Sequence, residues 1–296
     1  MKAIILTLLL LASRQTLWSQ NEDPDYFLWK VNIHGSEFAL VGSVHAGKPE
    51  YFPLPDAYMK TYHQADKVIM ELKERPKALR EMVFSYAKKD SLAGGQSLDK
   101  HLSAESKEIL SVIFMGKEEL LYRYFRYEGW LLNSVVSVWR SVLIGYNPEW
   151  SVDMYFHDLA TRDKKEIIGL DSVETQLALF DFDVPFETQL KILESGIRSA
   201  EQRARAEEPL FENYYSNNME GFKEAFLKLM NLENPQMRSV YDQVFVSRNK
   251  AWVRELIDLS SSHPGTYFMV VGSGHYFGPD NVLELLESKG FTVEHY

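Results

Sequence analysis

Phe38-Ala39-Leu40-Val41-Gly42-Ser43-Val44-His45 and, far downstream, Phe268-Met269-Val270-Val271-Gly272-Ser273-Gly274-His275 follow one pattern, Phe-x-x-Val-Gly-Ser-x-His. In each copy a short apolar, β-favouring run meets Gly-Ser, the signature of a buried strand that ends in a turn. Each turn carries a histidine. Open α/β sheets gather ligands and chemistry at the carboxyl ends of their strands, so the repeat predicts two imidazoles delivered to one edge. A single Gly-x-x-His is a weak signal, since such a histidine more often bonds nearby backbone; the duplication is what favours a shared site.

Around these two strands the chain reads as α/β, with a mixed central sheet, crossover helices and a large helical insertion. Tyr26 to Ile33 and Glu37 to Val41 form a hairpin across His34-Gly35-Ser36. Pro49 to Pro55 is a stiff loop, Asp56 opens a helix to about Gln64, and Asp66 to Leu72 is the next buried strand. From Pro76 to about Asn147 apolar residues recur at helical spacing, as at Leu110, Ile113 and Phe114, then Leu131, Val135 and Val138. The aromatic segment Tyr122 to Trp130 within it fits a core face or the wall of a substrate groove. Ser151 begins a short amphipathic helix, Lys165 to Leu170 is a strand, and Asp171 with Glu174 has the spacing of a capping box. Helices then fill Phe186 to about Leu259, and Asn281 to Lys289 closes the chain before a short strand at Phe291 to Val293.

The 296 residues suit one α/β domain over 20–296, with the insertion at about 76–147. At 45% hydrophobic and 25% charged residues the chain can bury a substantial core and is not a disordered type. Residues 1–19 differ: Lys2 precedes the apolar run Ile4 to Ala12, too short to span a bilayer that needs about 20 residues, and the stretch reads as a signal peptide cleaved near Ser19. The protein is therefore expected to be exported, periplasmic or extracellular, with no stable transmembrane span after cleavage. Removal of Lys2 and Arg14 moves the formal charge from −10 to −12, which argues against a nucleic-acid partner. Cysteine is absent. Disulfides, thiolate metal sites and a cysteine nucleophile are excluded, so any metal must be held by histidine and carboxylate.

Two carboxylates join the histidines. Glu71 ends the Asp66 to Leu72 run, where a charge is costly unless bonded; a structural reading turns it to water or pairs it with Lys73. Glu174 follows the strand ending at Leu170, although the capping box explains it equally. His45, Glu71, Glu174 and His275 together could hold a divalent ion and activate water, giving hydrolysis without a protein nucleophile. The same residues without metal could use one histidine as base and the other to bond a substrate carbonyl. A non-catalytic, peptide-capturing cleft is the third reading. Arg248 and Asn249, neighbours within a helix, would ordinarily face solvent.

The ordered blocks resemble the TraB/GumN family, which is related to the Tiki metalloproteases. They are Leu28-Trp29-Lys30, Leu40 to His45, Tyr51 to Pro55, Ala65-Asp66 through Met70-Glu71, Gly169-Leu170-Asp171 with Glu174 and Gln176, Arg248-Asn249, and Val271 to His275 followed by Gly278-Pro279-Asp280. The resemblance implies an α/β core with two GxxH motifs and a metal-dependent, peptidase-like hydrolase acting on a peptide or protein substrate. Manganese, cobalt or zinc would be the cofactor. It implies His45, Glu71, Glu174 and His275 as catalytic and metal-binding positions, and Arg248 and Asn249 as substrate or oxyanion contacts. A distant relationship to erythromycin esterases implies the metal-free alternative. The family's usual glutamate after Gly-Leu is Asp171 here.

Overall fold

The computed structural model describes residues 25–74, 81–85, 97–177 and 185–296. The expected leader at 1–19 and two stretches of the expected insertion, 76–80 and 86–96, lie outside them. Six strands form a single sheet: β1 (Leu28–Ile33), β2 (Ser36–Ser43), β3 (Lys67–Met70), β4 (Glu166–Gly169), β5 (Thr266–Gly272) and β6 (Val293–His295). Their order is β4-β3-β5-β2-β1-β6. The hairpin β1-β2 is antiparallel, as the His34-Gly35 turn requires, while β4, β3, β5 and β2 are mutually parallel. Parallel neighbours need crossovers, and helices 56–64 and 152–162 lead directly into β3 and β4. The sheet is mixed and the fold α/β.

β2 and β5 are nearly continuous buried runs, the mark of strands covered on both faces. Successive side chains alternate between those faces. Tyr267 stacks on Phe38 with ring centroids 4.7 Å apart, while Phe268 meets Phe156 at 4.8 Å and Tyr62 at 5.5 Å. Trp252, from helix 247–262, is fully buried in the same core. Truncating Phe268 or Trp252 to alanine would cost about 3–5 kcal/mol.

Because β4, β3, β5 and β2 run parallel, their carboxyl ends share one edge, and β5, the last of them in sequence, lies between β3 and β2. The two copies of the motif lie side by side but out of step: Ser43 is opposite Gly272, and Gly42 opposite Val271. A shift of one residue reverses the face on which equivalent side chains lie. Beyond the strands the copies also diverge, because Ser273–Tyr276 winds into a 3-10 turn that carries His275 and the first copy does not.

The insertion is helical where described, with helices 104–113, 118–124 and 129–139. It has a core of its own, in which Leu110, Phe114, Tyr124, Phe125, Tyr127 and Trp130 are buried. Most of the aromatic segment is thus a core face; Tyr122 is exposed. Leu193, Ile197 and Ala200 enter that same cluster, so helix 186–198, beyond β4, completes the helical lobe. The lobe returns to the sheet beside the first motif, where Gly47 and Asn147 exchange backbone hydrogen bonds of 3.1 and 2.8 Å. Among the described residues no helix is long and apolar enough to cross a membrane.

Candidate active site

Glu71 follows β3 and is the centre of the strand-end edge. Its Oε1 accepts the backbone N–H of Gly272 at 2.9 Å. Its Oε2 accepts from Arg248 Nη2 at 2.5 Å and from Gln176 Nε2 at 3.2 Å. Burial pushes this carboxyl up, but the Arg248 guanidinium, then His275 and His45, outweigh it and hold the pKa at about 2. Glu71 is a permanent carboxylate and a poor base.

Arg248 fills the space beside it. Its Nε donates to Asp171 Oδ2 at 2.8 Å and its Nη2 lies 2.7 Å from the same oxygen. Its Nη1 reaches Val244 O at 3.2 Å and His275 Nε2 at 3.3 Å. The Val244 carbonyl lies in a π turn over Asp242–Val246, where the Ser247 N–H bonds five residues back to Asp242 O. Such widened turns often accompany functional positions. Burial works against the Arg248 charge, yet Glu71 and Asp171 raise its pKa further, so the cation is held. Trp252 Nε1 donates to the other Asp171 oxygen at 2.9 Å.

The two motif histidines have opposite roles. His275 is only 2% exposed, with its ring 4.2 Å from that of Trp252. Arginine can only donate, so His275 Nε2 is the acceptor and Nδ1 carries the proton. That N–H donates to Asn249 Oδ1 at 2.5 Å, while Asn249 Nδ2 donates to Asp280 O at 3.0 Å, which fixes the amide's orientation. Burial pushes His275 down to about 3; Glu71 opposes this, and Arg248 and His45 add to it. The ring is neutral, sealed and bonded at both nitrogens.

His45 is open. Its side chain is 63% exposed, and its Nδ1 lies 3.2 Å from Asp153 Oδ1. A carboxylate only accepts, so Nδ1 carries a proton and Nε2 is the nitrogen on the Gly272 side. Desolvation among the surrounding protein atoms lowers its pKa, but Asp153 and then Glu71 prevail and lift it above 6.5, toward about 9. Water reaching the ring screens part of that pull. A Cβ at Gly272 would lie 3.4 Å from both His45 Nε2 and Glu71 Oε1, so an imidazole nitrogen and a carboxylate oxygen border one small space. Gly42 is required more strictly, since a Cβ there would come within 2.6 Å of Ser273 Oγ. Two tyrosines ending helix 200–215 brace this turn: Tyr214 donates to Gly42 O at 2.7 Å and Tyr215 to Ala46 O at 3.1 Å. Ser43, Ser273 and Tyr276 are buried, and their hydroxyls have no hydrogen-bond partner among the described residues.

Of the expected site residues, His45, Glu71, His275 and Arg248 meet here, and Asn249 lies behind His275. Glu174 does not join them. The helix begins at Val173, and Ser172, not Asp171, caps it by accepting the Thr175 N–H at 3.1 Å. On a helix, residues two apart point roughly 200° from one another. With this start Gln176 turns toward Glu71 and Asp171, and Glu174 is exposed. Asp171 is therefore the partner of Arg248 and Trp252, not a cap. Asp153 is not among the residues that the sequence singles out for the site, and Gln176 enters only with the block that resembles the family; the spacing of Asp153 from Ser151 marks it as first-turn, but nothing local says that it meets His45.

The model of the TraB/PrgY/gumN family matches residues 27–295, a span that includes all of these side chains. The chain belongs to this family. It is similar to uncharacterized proteins named YbaP from Escherichia coli K12 and Shigella flexneri, each 24% identical over 278 residues, covering 92% of this chain and 97% of the relative. An uncharacterized protein of Treponema pallidum is 20% identical over 286 residues, covering 94% of this chain and 85% of the relative. No solved structure matches the chain.

The metal implied by the family resemblance can be tested against the donor set. Among the described residues no group of three or more His, Asp or Glu side chains is arranged to hold an ion. His275 Nε2 and Glu71 Oε2 are already turned to a guanidinium. As arranged, the residues do not fit a metal.

Proposed function

We propose that this chain is a hydrolase that transfers an acyl group to water, with His45 as the proton-transfer residue. The observation that carries the reading is His45 itself: an exposed imidazole, bonded through Nδ1 to Asp153, with Nε2 bordering the same space as Glu71 Oε1. In this reading neutral Nε2 takes a proton from water as the oxygen attacks the carbonyl carbon. The imidazolium that forms lies between Asp153 and Glu71, both of which favour its charge. The proton then passes to the departing alcohol or amine as the acyl bond breaks. Glu71, with a pKa of about 2, acts by its charge and not as the base.

A peptide or peptide-like ester is the substrate class we favour, as the family resemblance implies; the helical lobe, which meets the His45 turn at Gly47 and Asn147, would then border the bound chain. The experiment is a panel of peptide and ester substrates assayed after exhaustive chelation. Turnover that disappears in His45→Gln, with folding unchanged, supports the proposal; equal turnover in that variant sinks it, and saturable peptide binding without cleavage favours the capturing role. The family resemblance implies a metal-dependent version of the same hydrolysis, for which His45 Nε2 and Glu71 Oε1 would supply two donors, fewer than an ion ordinarily takes. Its mark would be turnover that appears only when manganese, cobalt or zinc is restored. We place the protein outside the cytoplasm on the strength of the leader-like residues 1–19.

A further inference from the structure

Arg248 occupies an unusual position for a cation on a helix. It is 8% exposed and meets acceptors on several sides: Glu71 Oε2, Asp171 Oδ2, His275 Nε2 and Val244 O, with the Trp252 ring 4.6 Å from its guanidinium carbon. Each acceptor is itself held. Gln176 bonds both carboxylates, Trp252 bonds Asp171, Gly272 bonds Glu71, and Asn249 fixes the tautomer of His275. This is a preorganised receptor for a planar cation: the two carboxylates meet Nη2, and the imidazole and backbone carbonyl meet Nη1.

We infer that Arg248 is the built-in cation of this centre, taking the place a divalent metal would need, so that guanidinium and metal are mutually exclusive there. Two carboxylate oxygens converge on one nitrogen, Nη2, at 2.5 and 2.7 Å, and the neutral imidazole meets the adjacent Nη1 at 3.3 Å. An ion at the position of Nη2 would need those oxygens to close in by a few tenths of an ångström, to the roughly 2.0–2.2 Å typical of zinc or manganese with oxygen. With the guanidinium present, a divalent ion would lie a few ångströms from a fixed positive charge in a mostly buried space. That repulsion weakens binding by on the order of 100-fold or more. The planar fork of arginine also does what a spherical ion does not: it binds Asp171 and Glu71 while passing a hydrogen bond to His275. Lysine, with a point charge, would not reproduce it.

The inference concerns the centre of the proposed hydrolase, but its test is read without substrate, so either idea can fail while the other stands. Manganese binding is measured by electron paramagnetic resonance on purified wild type, on Arg248→Ala and on Arg248→Ala combined with Glu71→Gln. The expected result is no stoichiometric site in wild type, one site in Arg248→Ala with a Kd lower by on the order of 100-fold than any residual wild-type binding, and its loss in the double variant. If Arg248→Ala folds poorly, manganese should raise its melting temperature, and should not do so in the double variant. Paramagnetic broadening of the His275 ring resonances supplies a check that needs no variant: wild type should show none at one equivalent of manganese. One equivalent bound by wild type and abolished by Glu71→Gln, broadening of His275 in wild type, or an Arg248→Ala protein whose manganese binding and melting temperature are unmoved would each overturn the inference.

Discussion

Replacing Arg248 by methionine keeps an unbranched apolar stem and removes the guanidinium charge that Glu71 and Asp171 share. Glu71 is held at about 2 against an ordinary value of 4.5, and its side chain is 20% exposed. At about 1.4 kcal/mol per pKa unit, that difference corresponds to about 3 kcal/mol of native-state stabilisation at neutral pH. Breaking a buried pair from one side costs about 3–5 kcal/mol, in agreement with this figure. The pH dependence follows from the sign of the shift. A carboxyl whose folded pKa is depressed stabilises fully above the unfolded value, and that contribution is lost as pH falls through the folded value. Arg248→Met should therefore be less stable than wild type by about 3 kcal/mol at pH 7, narrowing to about 2 kcal/mol at pH 3.5. Urea unfolding followed by tryptophan fluorescence at the two pH values measures both numbers. A deficit below about 1 kcal/mol at pH 7, or one that widens on acidification, would refute the assignment of Arg248 as the partner that holds Glu71 charged.

Other consequences are equally direct. Nitrogen NMR should find His275 neutral with the proton on Nδ1 until the pH approaches about 3, and native stability should fall as pH drops from 6.5 toward that value, because the unfolded chain takes the proton first; a ring that titrates near 6.5 would contradict the sealed, doubly bonded position. Gly272→Ala places a methyl 3.4 Å from both His45 Nε2 and Glu71 Oε1, so we expect a folded protein, with stability within about 1 kcal/mol of wild type, and at least a tenfold loss of turnover on the order expected for a misplaced water; unchanged turnover would show that the space is not used. Mass spectrometry of protein recovered from outside the cytoplasm should show cleavage near Ser19, and an intact amino terminus would oppose export by a cleaved leader.

Much of the architecture was legible because it is written in local patterns. The apolar runs before Gly42 and Gly272, the His34-Gly35 turn and the Asp56 to Gln64 helix each follow from periodicity and turn chemistry within a few residues. The strand order is less local, since β5 enters between β3 and β2 after nearly the whole helical lobe has been formed. The site divides the same way. Glu71, His45 and His275 stand out because charged or titratable groups follow buried strands. What sequence could not supply was the one-residue offset between β2 and β5, or the tight helical turn at Ser273–Tyr276 that holds His275 buried while His45 stays open. Nor could it supply the helix phase after Asp171: a capping box and a Ser172 cap differ by one residue, yet the choice turns Gln176 inward and Glu174 to solvent. Arg248 looked like a solvent-facing helical residue because its partners, Glu71 and Asp171, are 177 and 77 positions away.

The pH dependence of kcat/KM for acyl hydrolysis, in wild type and in Asp153→Asn, tests the role of His45 most directly. Asp153 lifts the imidazole toward about 9, so wild-type activity should rise with pH through an inflection above 6.5. The variant should show that inflection shifted to lower pH, with a lower plateau from the lost orientation of the ring. Identical profiles in the two proteins, or hydrolysis that falls across this range in wild type, would contradict His45 as the base.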